Sequence, residues 1–383
     1  MKLAYFVHDL TDPAVTRRVR MLVAGGAQLI VIGFRRGETA PGQVAGVEAI
    51  DLGRTFDGRM VHRMVKTALA VRGARRWAAL LRDVDVVMAR TLEMLTVADA
   101  ARRVGGGRPR LVYECLDIHR LMLGSGRKNS MLRGLERALL RRTDLLVVSS
   151  PAFLGAYFHP VQGVGGAIRI PTLLVENKVL ELDGAPPPRA AAAGPPWRIG
   201  WLGAIRCRRS LDLLSSLAAR RPDLVRVRIH GRPAYSEFDD FPAQVQGAPA
   251  VDYFGPYTPA DLPQIYGDVH FSWSIDFMEE GLNSAWLLPN RIYECSRHGA
   301  VPLALAGVET GRFLARQGFG VRLDKVSDLE GFLERLTPQT YADLRSRVEA
   351  VPTEVLVADA AACRALVEAL AGAGSATGRP APP

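Results

Sequence analysis

Three arginines follow a strand-like segment in the second half of the chain, and their spacing is typical of a phosphate site. Residues 200–214 read GWLGAIRCRRSLDLL, which predicts a strand, a glycine turn and a helix with Arg206, Arg208 and Arg209 at or near its start. The first turn of a helix attracts anions, and guanidinium groups hold phosphate oxygens in pairs. The segment therefore predicts a diphosphate site, with solvated surface arginines as the alternative.

Two later segments of the same half carry groups that suit the rest of a nucleotide. Residues 307–311, GVETG, follow the strand-like VPLAL and place Glu309, Thr310 and backbone amides at a second strand-to-helix turn. Such a turn also suits a diphosphate. Glu294 lies about one turn into a helix that begins after Pro289, where a carboxylate could accept both hydroxyls of a ribose. Three such features at strand ends of one domain favour a nucleotide-diphosphate site.

Short β-rich runs alternate with helical stretches in both halves, which predicts two tandem, doubly wound α/β domains with Rossmann-like parallel sheets. Ligands bind at the carboxyl ends of such strands, so we expect the two domains to face each other across a cleft. Helices are predicted over 13–24, 60–82, 92–103, 131–142, 209–220 and 259–266. The predicted parts are a first domain (1–182), a Pro/Ala-rich linker (183–196), a second domain (197–350), a C-terminal helix packing back on the first domain (351–371) and a disordered tail (372–383).

The missing motifs limit the chemistry. Neither half carries GxGxxG after a strand, and a Walker A motif is absent, so a dinucleotide cofactor is not expected. Asp83 and Asp85 precede an apolar run at the amino end of a strand, which favours a solvated loop over a metal-binding DxD pair. The four cysteines lie far apart and form no CxxC pair. We expect neither a resident metal nor a cofactor.

The charge indicates the kind of partner. The 383 residues carry a net charge of +10, which attracts polyanions such as nucleic acid, anionic lipid or phosphorylated substrates. No nucleic-acid-binding motif is present, so no nucleic-acid partner is expected. The first apolar run is too short for a signal peptide, and no run approaches the length that spans a bilayer. These features favour a cytoplasmic protein whose basic surface could attach it to the inner face of the plasma membrane.

Several segments together carry a family resemblance. The chain resembles GT-B-fold glycosyltransferases of the family 4 type through GWLGAIRCRRSLDLL, GPYTPADLPQIYGDVHFSWSIDF, EEGLNSAWLLPNRIYECSRHGAVPLAL and GVETGRFL. Within that group it is similar to bacterial exopolysaccharide enzymes of the succinoglycan-biosynthesis type. The resemblance covers most of the chain and is strongest from 200 to 314. It implies a metal-independent, retaining hexosyltransferase that uses a UDP- or GDP-sugar and a glycan or undecaprenyl-diphosphate-linked acceptor.

The resemblance implies roles for individual donor-side residues. Arg209 matches the basic residue that neutralises the diphosphate, and Arg206 assists it. Glu294 matches the glutamate that holds the donor ribose, and Glu280 matches the catalytic glutamate that meets the donor sugar. Family 4 usually separates these glutamates by seven residues, whereas thirteen lie between them here.

The longer spacing leaves the sugar-facing carboxylate open. Asp276 and Glu279 are alternatives to Glu280 in that role. Asn283 is expected to face the sugar or the phosphates, and Asn290 and Arg291, at the start of the Glu294 helix, complete the predicted donor site.

The first half is expected to hold the acceptor. The strand-like YECLDIH ends with Asp117 and His119, and FVHDLTD ends with His8 and Asp9. Enzymes of the family often have a functional histidine here, and we choose His119, with Asp117 beside it, because a neutral imidazole can pass a proton or bind a sugar hydroxyl. His8 and Asp9 are predicted on the acceptor side. The alternative is that His119 only caps a loop.

Two other functions fit the same residues. A GT-B-type sugar-nucleotide epimerase would consume the nucleotide sugar with no acceptor. A non-catalytic protein of polysaccharide assembly would use the basic surface and release no nucleotide.

Overall fold

The computed structural model describes residues 1–56, 59–106, 109–184 and 191–372. The chain divides into two compact units, Met1–Glu176 with Ala358–Pro383, and Asn177–Val357. Residues 185–190 of the predicted linker and residues 373–383 of the predicted tail lie outside the described residues.

The first unit is built on an eight-stranded sheet. Its strands are β1 (Lys2–Val7), β2 (Gln28–Arg35), β3 (Gln43–Val44), β4 (Val47–Arg54), β5 (Val86–Arg90), β6 (Arg110–Cys115), β7 (Leu145–Val148) and β8 (Thr172–Leu174). The order is β3-β4-β2-β1-β5-β6-β7-β8, and only the β3–β4 pair is antiparallel. Strands β5 and β7 are buried along their whole length, as expected where helices cover both faces of a parallel sheet.

The helices that follow the strands of this unit are α1 (Pro13–Ala24), α2 (Met60–Arg72), α3 (Leu92–Val104), α4 (Arg127–Leu140) and α5 (Pro151–Phe153), the last continuing as a π-helix over Leu154–Gln162. The predicted helix 60–82 is too long, because the Gly73 N–H closes α2 on the Leu69 carbonyl and a 3₁₀ turn follows over Ala74–Trp77. Helix α4 begins earlier than predicted, where the Asn129 side chain accepts from the Gly126 N–H.

The second unit is built on a six-stranded parallel sheet. Its strands are β9 (Val179–Leu180), outside that sheet, then β10 (Trp197–Ile205), β11 (Val225–Pro233), β12 (Val251–Tyr253), β13 (Phe271–Trp273), β14 (Val301–Leu305) and β15 (Val321–Leu323). Its helices are α6 (Arg208–Arg220), α7 (Phe241–Gln246), α8 (Leu262–Gly267), α9 (Asn283–Trp286), α10 (Asn290–Arg297), α11 (Glu309–Gln317), α12 (Asp328–Arg335), α13 (Pro338–Glu349) and α14 (Thr353–Leu356). The strand order is β12-β11-β10-β13-β14-β15. Three buried tryptophans, Trp197, Trp201 and Trp273, fill the core around the central strands.

Each sheet has one point at which the strand order reverses. It lies between β1 and β5 in the first unit and between β10 and β13 in the second. The loops that leave two such strands run in opposite directions, so a crevice opens at their carboxyl ends. Two doubly wound α/β sheets of this kind confirm the predicted fold class.

The second unit begins before the predicted linker. The Asn177 side chain donates to the Leu288 carbonyl, Lys178 donates to the Glu354 carbonyl, and Glu181 pairs with Arg297. Residues 177–182, which the sequence predicts in the first domain (1–182), therefore belong to the second unit.

The chain enters the first unit again at Ala358, the last residue of β16 (Val357–Ala358), and continues there as α15 (Ala360–Ala371). A Cβ atom on Gly25, at the end of α1, would lie 2.3 Å from the Cys363 carbonyl oxygen of α15. The Arg110 guanidinium donates to the last carbonyls of α15, those of Ala369 and Leu370, both at 3.0 Å. The C-terminal helix therefore closes the first unit.

The close approach at Gly25 gives a stability prediction. Gly25→Ala should lower the free energy of unfolding by about 2 kcal/mol, because the added methyl group meets backbone that cannot turn aside. The matched control is Gly134→Ala in α4, where nothing lies within 4 Å of the added atom. That change should raise the free energy by about 0.5–1 kcal/mol. Urea unfolding measures both, and equal midpoints for the two variants would contradict the proposed packing.

Candidate active site

Two arginine–carboxylate pairs lie at the carboxyl ends of β10 and β13, where the second sheet reverses its order. Arg206, just after β10, donates to Asp276 at 3.1 Å. Arg209, in the first turn of α6, donates to Glu280 at 2.5 Å. The Arg209 guanidinium also lies over the Phe277 ring, 4.2 Å from its centroid. The arginine-rich turn thus faces the acidic loop after β13, and the structure brings the predicted phosphate and sugar residues together.

The third arginine of the turn points elsewhere. Helix α6 begins at Arg208, and the Cys207 sulfur accepts from the Ser210 N–H at its start. Arg208 pairs with Asp239 at 2.6 Å. Arg206 and Arg209 therefore remain as the cations beside the acidic loop.

The start of α10 packs on the same edge of the sheet. Arg291 donates to the Trp273 carbonyl at the end of β13, at 3.1 Å. The Arg291 guanidinium would lie 4.0 Å from a Cβ on Gly203, a β10 residue with φ of +109°. Asn290 is the first residue of α10 and Glu294 follows in the next turn, half-buried. Burial first, and then the charge of Glu294, raise the pKa of Tyr257, which places that phenol close to the carboxylate.

The residues between the two glutamates fold into an extra turn of helix, α9. The Ser284 hydroxyl accepts from the Glu279 N–H at 3.0 Å, and Leu288 is buried in the core. Asn283, the first residue of α9, is buried as well. The longer spacing is therefore taken up by a folded element between Glu280 and α10.

Glu309 and Thr310 lie at the start of α11 with their side chains turned inward. Glu309 is buried and pairs with Arg316 at 2.7 Å. The Thr310 hydroxyl donates to the Leu287 carbonyl at 3.2 Å. Because both side chains have partners within the protein, only the backbone amides at the start of α11 remain to meet a phosphate.

A cavity of about 410 Å³ lies in the first unit. It is lined by His8, Asp117 and His119, three residues for which the sequence predicts a place in the acceptor half. The His119 Nδ1 accepts from the Leu121 N–H at 3.2 Å, so in the neutral ring the proton is on Nε2. Burial of the imidazole ring, and secondly the positive charge of Arg63, lower the pKa of His119. This histidine is therefore arranged to donate a hydrogen bond, and its Nδ1 also caps a short turn, as the alternative prediction has it.

Asp9 organises the loop after β1. One of its carboxylate oxygens accepts from the Thr11 N–H, the Thr11 hydroxyl and the Arg36 N–H. The Asp9 side chain is buried, so its acceptors serve the turn. His8 lies beside it, with Nε2 3.5 Å from Asp12, and burial is the main cause that lowers the pKa of His8.

The sequence did not point to two aromatic residues that lie beside the predicted donor residues. Phe277 supports the Arg209 guanidinium, and Tyr257 lies close to Glu294. Neither residue forms a motif, and the one available signal for Phe277 is its position two residues before the acidic run Glu279–Gly281. Among the residues that the structure describes, no group of three or more His, Cys, Asp or Glu side chains could hold a metal ion.

The fold is similar to that of several solved proteins. Sucrose-phosphate synthase from Thermosynechococcus elongatus superposes with a TM-score of 0.72 at 14% identity, over 98% of this chain and 100% of that one. The HepE protein of Anabaena, in complex with UDP, gives 0.68 at 14% identity over the same shares. The lipopolysaccharide outer core galactosyltransferase WaaB gives 0.62 at 13% identity, over 92% and 95%. These likenesses place the chain in the structural class of GT-B glycosyltransferases.

No family model matches the sequence. Succinoglycan biosynthesis protein ExoL of Rhizobium meliloti (strain 1021) is 47% identical over 380 residues, which cover 97% of this chain and 93% of that protein. The chain belongs to the family of that protein. Its predicted similarity to exopolysaccharide enzymes of the succinoglycan type is confirmed.

The environment of His119 predicts how it titrates. Because water exclusion and Arg63 disfavour the imidazolium, His119 should take up its proton below the ordinary histidine value and stay neutral at pH 7. Arg63→Gln should raise that midpoint, since it removes a like charge and frees Glu93, which Arg63 holds. Nitrogen-15 NMR of the imidazole measures both the midpoint and the tautomer. Arg20→Gln, an exposed change on α1, is the control, and an unchanged or lower midpoint in Arg63→Gln would contradict this account.

Proposed function

We propose that the protein transfers a hexose from a nucleoside diphosphate to a glycan or lipid-linked acceptor during synthesis of a bacterial exopolysaccharide. The observation that carries this proposal is the pairing of Arg206 and Arg209 with Asp276 and Glu280 at the reversal point of the second sheet. Two relatives support it. HepE has been solved with UDP and with UDP-glucose, and ExoL acts in succinoglycan biosynthesis.

The diphosphate of the donor would exchange partners with Glu280. The Arg209–Glu280 pair is exposed, with 55% and 61% of the two side chains accessible, and such a pair contributes only about 0–1 kcal/mol. A diphosphate has more charge and more oxygens for the guanidinium fork than a carboxylate has. Binding the donor therefore releases Glu280 while Arg209, held over Phe277, takes the phosphates.

The released carboxylate would act on the sugar. Departure of the diphosphate leaves positive charge at the anomeric carbon and adds negative charge to the leaving oxygens. Glu280 would stabilise the first, and Arg206, Arg209 and the amides at the start of α11 would stabilise the second. In this arrangement the arginines do the work that a metal ion does elsewhere, so we propose transfer without a resident metal or cofactor. We also propose retention of the anomeric configuration, as the family resemblance implies.

The nucleoside would lie along the start of α10. Glu294 is half-buried one turn from Asn290, beside Tyr257 and Arg291, where its carboxylate could accept from the ribose hydroxyls. The acceptor would use the first unit. There the His119 Nε2–H would donate to a sugar hydroxyl, and Asp117 lies at the same wall of the cavity.

Three matched variants test the donor site. Arg209→Gln should weaken binding of UDP or GDP about tenfold to a hundredfold, since it removes a charge-assisted contact of about 1.5–3 kcal/mol. Glu280→Gln should bind the nucleotide as well as wild type or a few-fold better, because Arg209 no longer has a competing anion, yet transfer should fall about a hundredfold. Arg208→Gln is the control, since Arg208 pairs with Asp239. Calorimetry and release of nucleotide from the sugar donor measure the two quantities.

The same assay separates the other functions. Turnover should survive EDTA, and the product's anomeric proton coupling reports whether configuration is retained. Release of a new nucleotide sugar without acceptor would instead indicate an epimerase. Nucleotide binding without any turnover would indicate a non-catalytic protein, and weaker binding in Glu280→Gln would contradict the exchange of partners at Arg209.

We also propose that helix α2 rests on an anionic membrane surface. Four of its apolar side chains are exposed: Val61, Met64, Val65 and Leu69. The helix contains Arg63, Lys66 and Arg72 and no acidic residue. An amphipathic helix of this composition binds at the interface of anionic lipid. In the part of the chain that the structure describes, no helix is long and apolar enough to cross a membrane.

Flotation with lipid vesicles tests the membrane proposal. The double change Val61→Asp and Leu69→Asp should abolish flotation with vesicles that contain anionic phospholipid, because it removes two exposed apolar side chains of α2 and offsets two of its three positive charges. Tyr235→Asp, at an exposed aromatic residue of the second unit, should float like wild type. Wild-type binding should weaken as the salt concentration rises. Each cation near the membrane surface contributes about 1 kcal/mol of electrostatic attraction, and salt screens that attraction. Equal flotation of the α2 variant, or equal binding to neutral vesicles, would contradict the proposal.

A further inference from the structure

Arg90 lies at the reversal point of the first sheet with most of its hydrogen-bonding capacity unused. It is the last residue of β5, only 3% exposed, and it lines the 410 Å³ cavity. Its Nε donates to Glu114 at 2.8 Å. Within the described residues its terminal nitrogens donate to no acceptor. A guanidinium with free N–H groups, buried at the edge of a cavity, is arranged to meet a ligand that accepts hydrogen bonds.

The charge around Arg90 is unbalanced. The single Glu114 carboxylate is shared by Arg18 at 2.7 Å and Arg90 at 2.8 Å, and it also accepts from the Tyr5 hydroxyl. Burial opposes its ionisation, but Arg90 and then Arg18 outweigh this and lower the pKa of Glu114 to about 2. Two guanidinium groups therefore share one carboxylate in a buried place, and the next carboxylate whose charge acts on Arg90 is Asp12. A buried charge without a full partner is costly, so an anion would be favoured there.

The neighbouring residue adds donors. Thr91 precedes α3, and its side chain does not cap that helix. The Thr91 hydroxyl is buried, and no partner for it occurs within the described chain. In the same described part, the N–H groups of Leu92, Glu93 and Met94 donate to no acceptor. The first turn of a thirteen-residue helix is thus open toward Arg90 and the cavity.

The backbone of Thr91 is held in a conformation that costs energy. Its φ of +78° and ψ of 159° belong to a region that is populated almost entirely by glycine. A β-branched residue there orients the start of α3 and keeps a hydroxyl in the cavity. His8 lines the same cavity, and its Nδ1 is buried and has no hydrogen-bond partner among the described residues.

The carboxylates of the cavity are partly neutralised. Glu93 pairs with Arg63, whereas Asp12 lies 3.5 Å from the His8 ring and its charge also acts on Arg90. Asp117 is exposed, and burial raises the pKa of Glu136, which three polar side chains hold. Arg90 is therefore the cation that an entering anion would reach beside free N–H donors.

We propose that Arg90, Thr91 and the first turn of α3 bind an oxyanion of the acceptor substrate. The oxyanion is a phosphate group of a lipid-linked acceptor or a carboxylate of an acidic sugar; both present the same acceptor oxygens to the guanidinium fork. That the ligand is the acceptor rests on the proposed glycosyl transfer, whereas the anion site itself does not.

Imidazole NMR of the full-length protein tests the site directly. Protein labelled in histidine is titrated with inorganic phosphate and separately with glucuronate, and the His8 and His119 signals report the cavity. His230 and His270 report the second unit, where phosphate is also expected to bind. The His8 signal should move with at least one of the two anions, and the tighter of the two identifies the source of the oxyanion. No movement of His8 with either anion overturns the proposal.

Matched variants distinguish a specific site at Arg90 from a general attraction of anions to the positive charges of the cavity. Arg90→Lys keeps the positive charge but loses the paired N–H donors of the guanidinium. The anion concentration needed to move the His8 signal should therefore rise about tenfold. Arg36→Gln removes a second cation from the same cavity, one that lies beside Asp9, and should change the response by less than about threefold. Equal weakening by the two variants overturns the proposal.

A third variant, Thr91→Gly, tests the same site independently if Arg90→Lys does not fold. Thr91→Gly should raise the urea midpoint, because glycine accepts this backbone conformation, and should weaken the His8 response to phosphate or glucuronate. An unchanged response in Thr91→Gly overturns the role of Thr91. None of these measurements needs a sugar donor, so a failure of glycosyl transfer would leave the His8 result in place, and the reverse also holds.

Discussion

The reversal of strand order in each sheet is the constraint on which both candidate sites depend. Parallel strands bury their own backbone groups, so polar groups can collect only where the chain leaves the sheet. At β10 and β13 that edge holds Arg206, Arg209 and the acidic loop. At β1 and β5 it holds His8 and Arg90. The same topology, used twice in one chain, places arginine side chains at one edge of each sheet.

The two edges differ in how tightly their arginines are held. Arg209 and Glu280 are both more than half exposed, so their contact is weak and a stronger anion can replace the carboxylate. Arg90 and Glu114 are buried, and removal of either partner would leave an uncompensated charge. The second unit is therefore suited to a partner exchange during each reaction cycle. The first holds Arg90 as a fixed charge, which agrees with the anion site that we propose there.

Spacing along the chain could predict the residues that follow strands, but not the direction of their side chains. The strand-turn-helix pattern of 200–214 places Arg206 and Arg209 correctly because local chemistry sets that turn. The pattern could not predict that the side chains of Glu309 and Thr310 turn inward, because tertiary packing sets the positions of their partners Arg316 and Leu287. Arg90 and Thr91 were missed for a related reason: their meaning depends on Glu114 and α3, and no periodic pattern marks either contact.

The thirteen residues between Glu280 and Glu294 bear on which carboxylate faces the sugar. Had they formed a loose loop, Glu280 could lie anywhere, and Asp276 would be the safer choice. Instead the segment has a fixed structure. It forms α9, its Leu287 carbonyl accepts a hydrogen bond from the Thr310 hydroxyl, and Leu288 is buried in the core. Asp276 is already engaged by Arg206 and by the Met278 N–H. Glu280 meets Arg209 and is otherwise open to solvent, which is why we propose Glu280 as the carboxylate that faces the sugar.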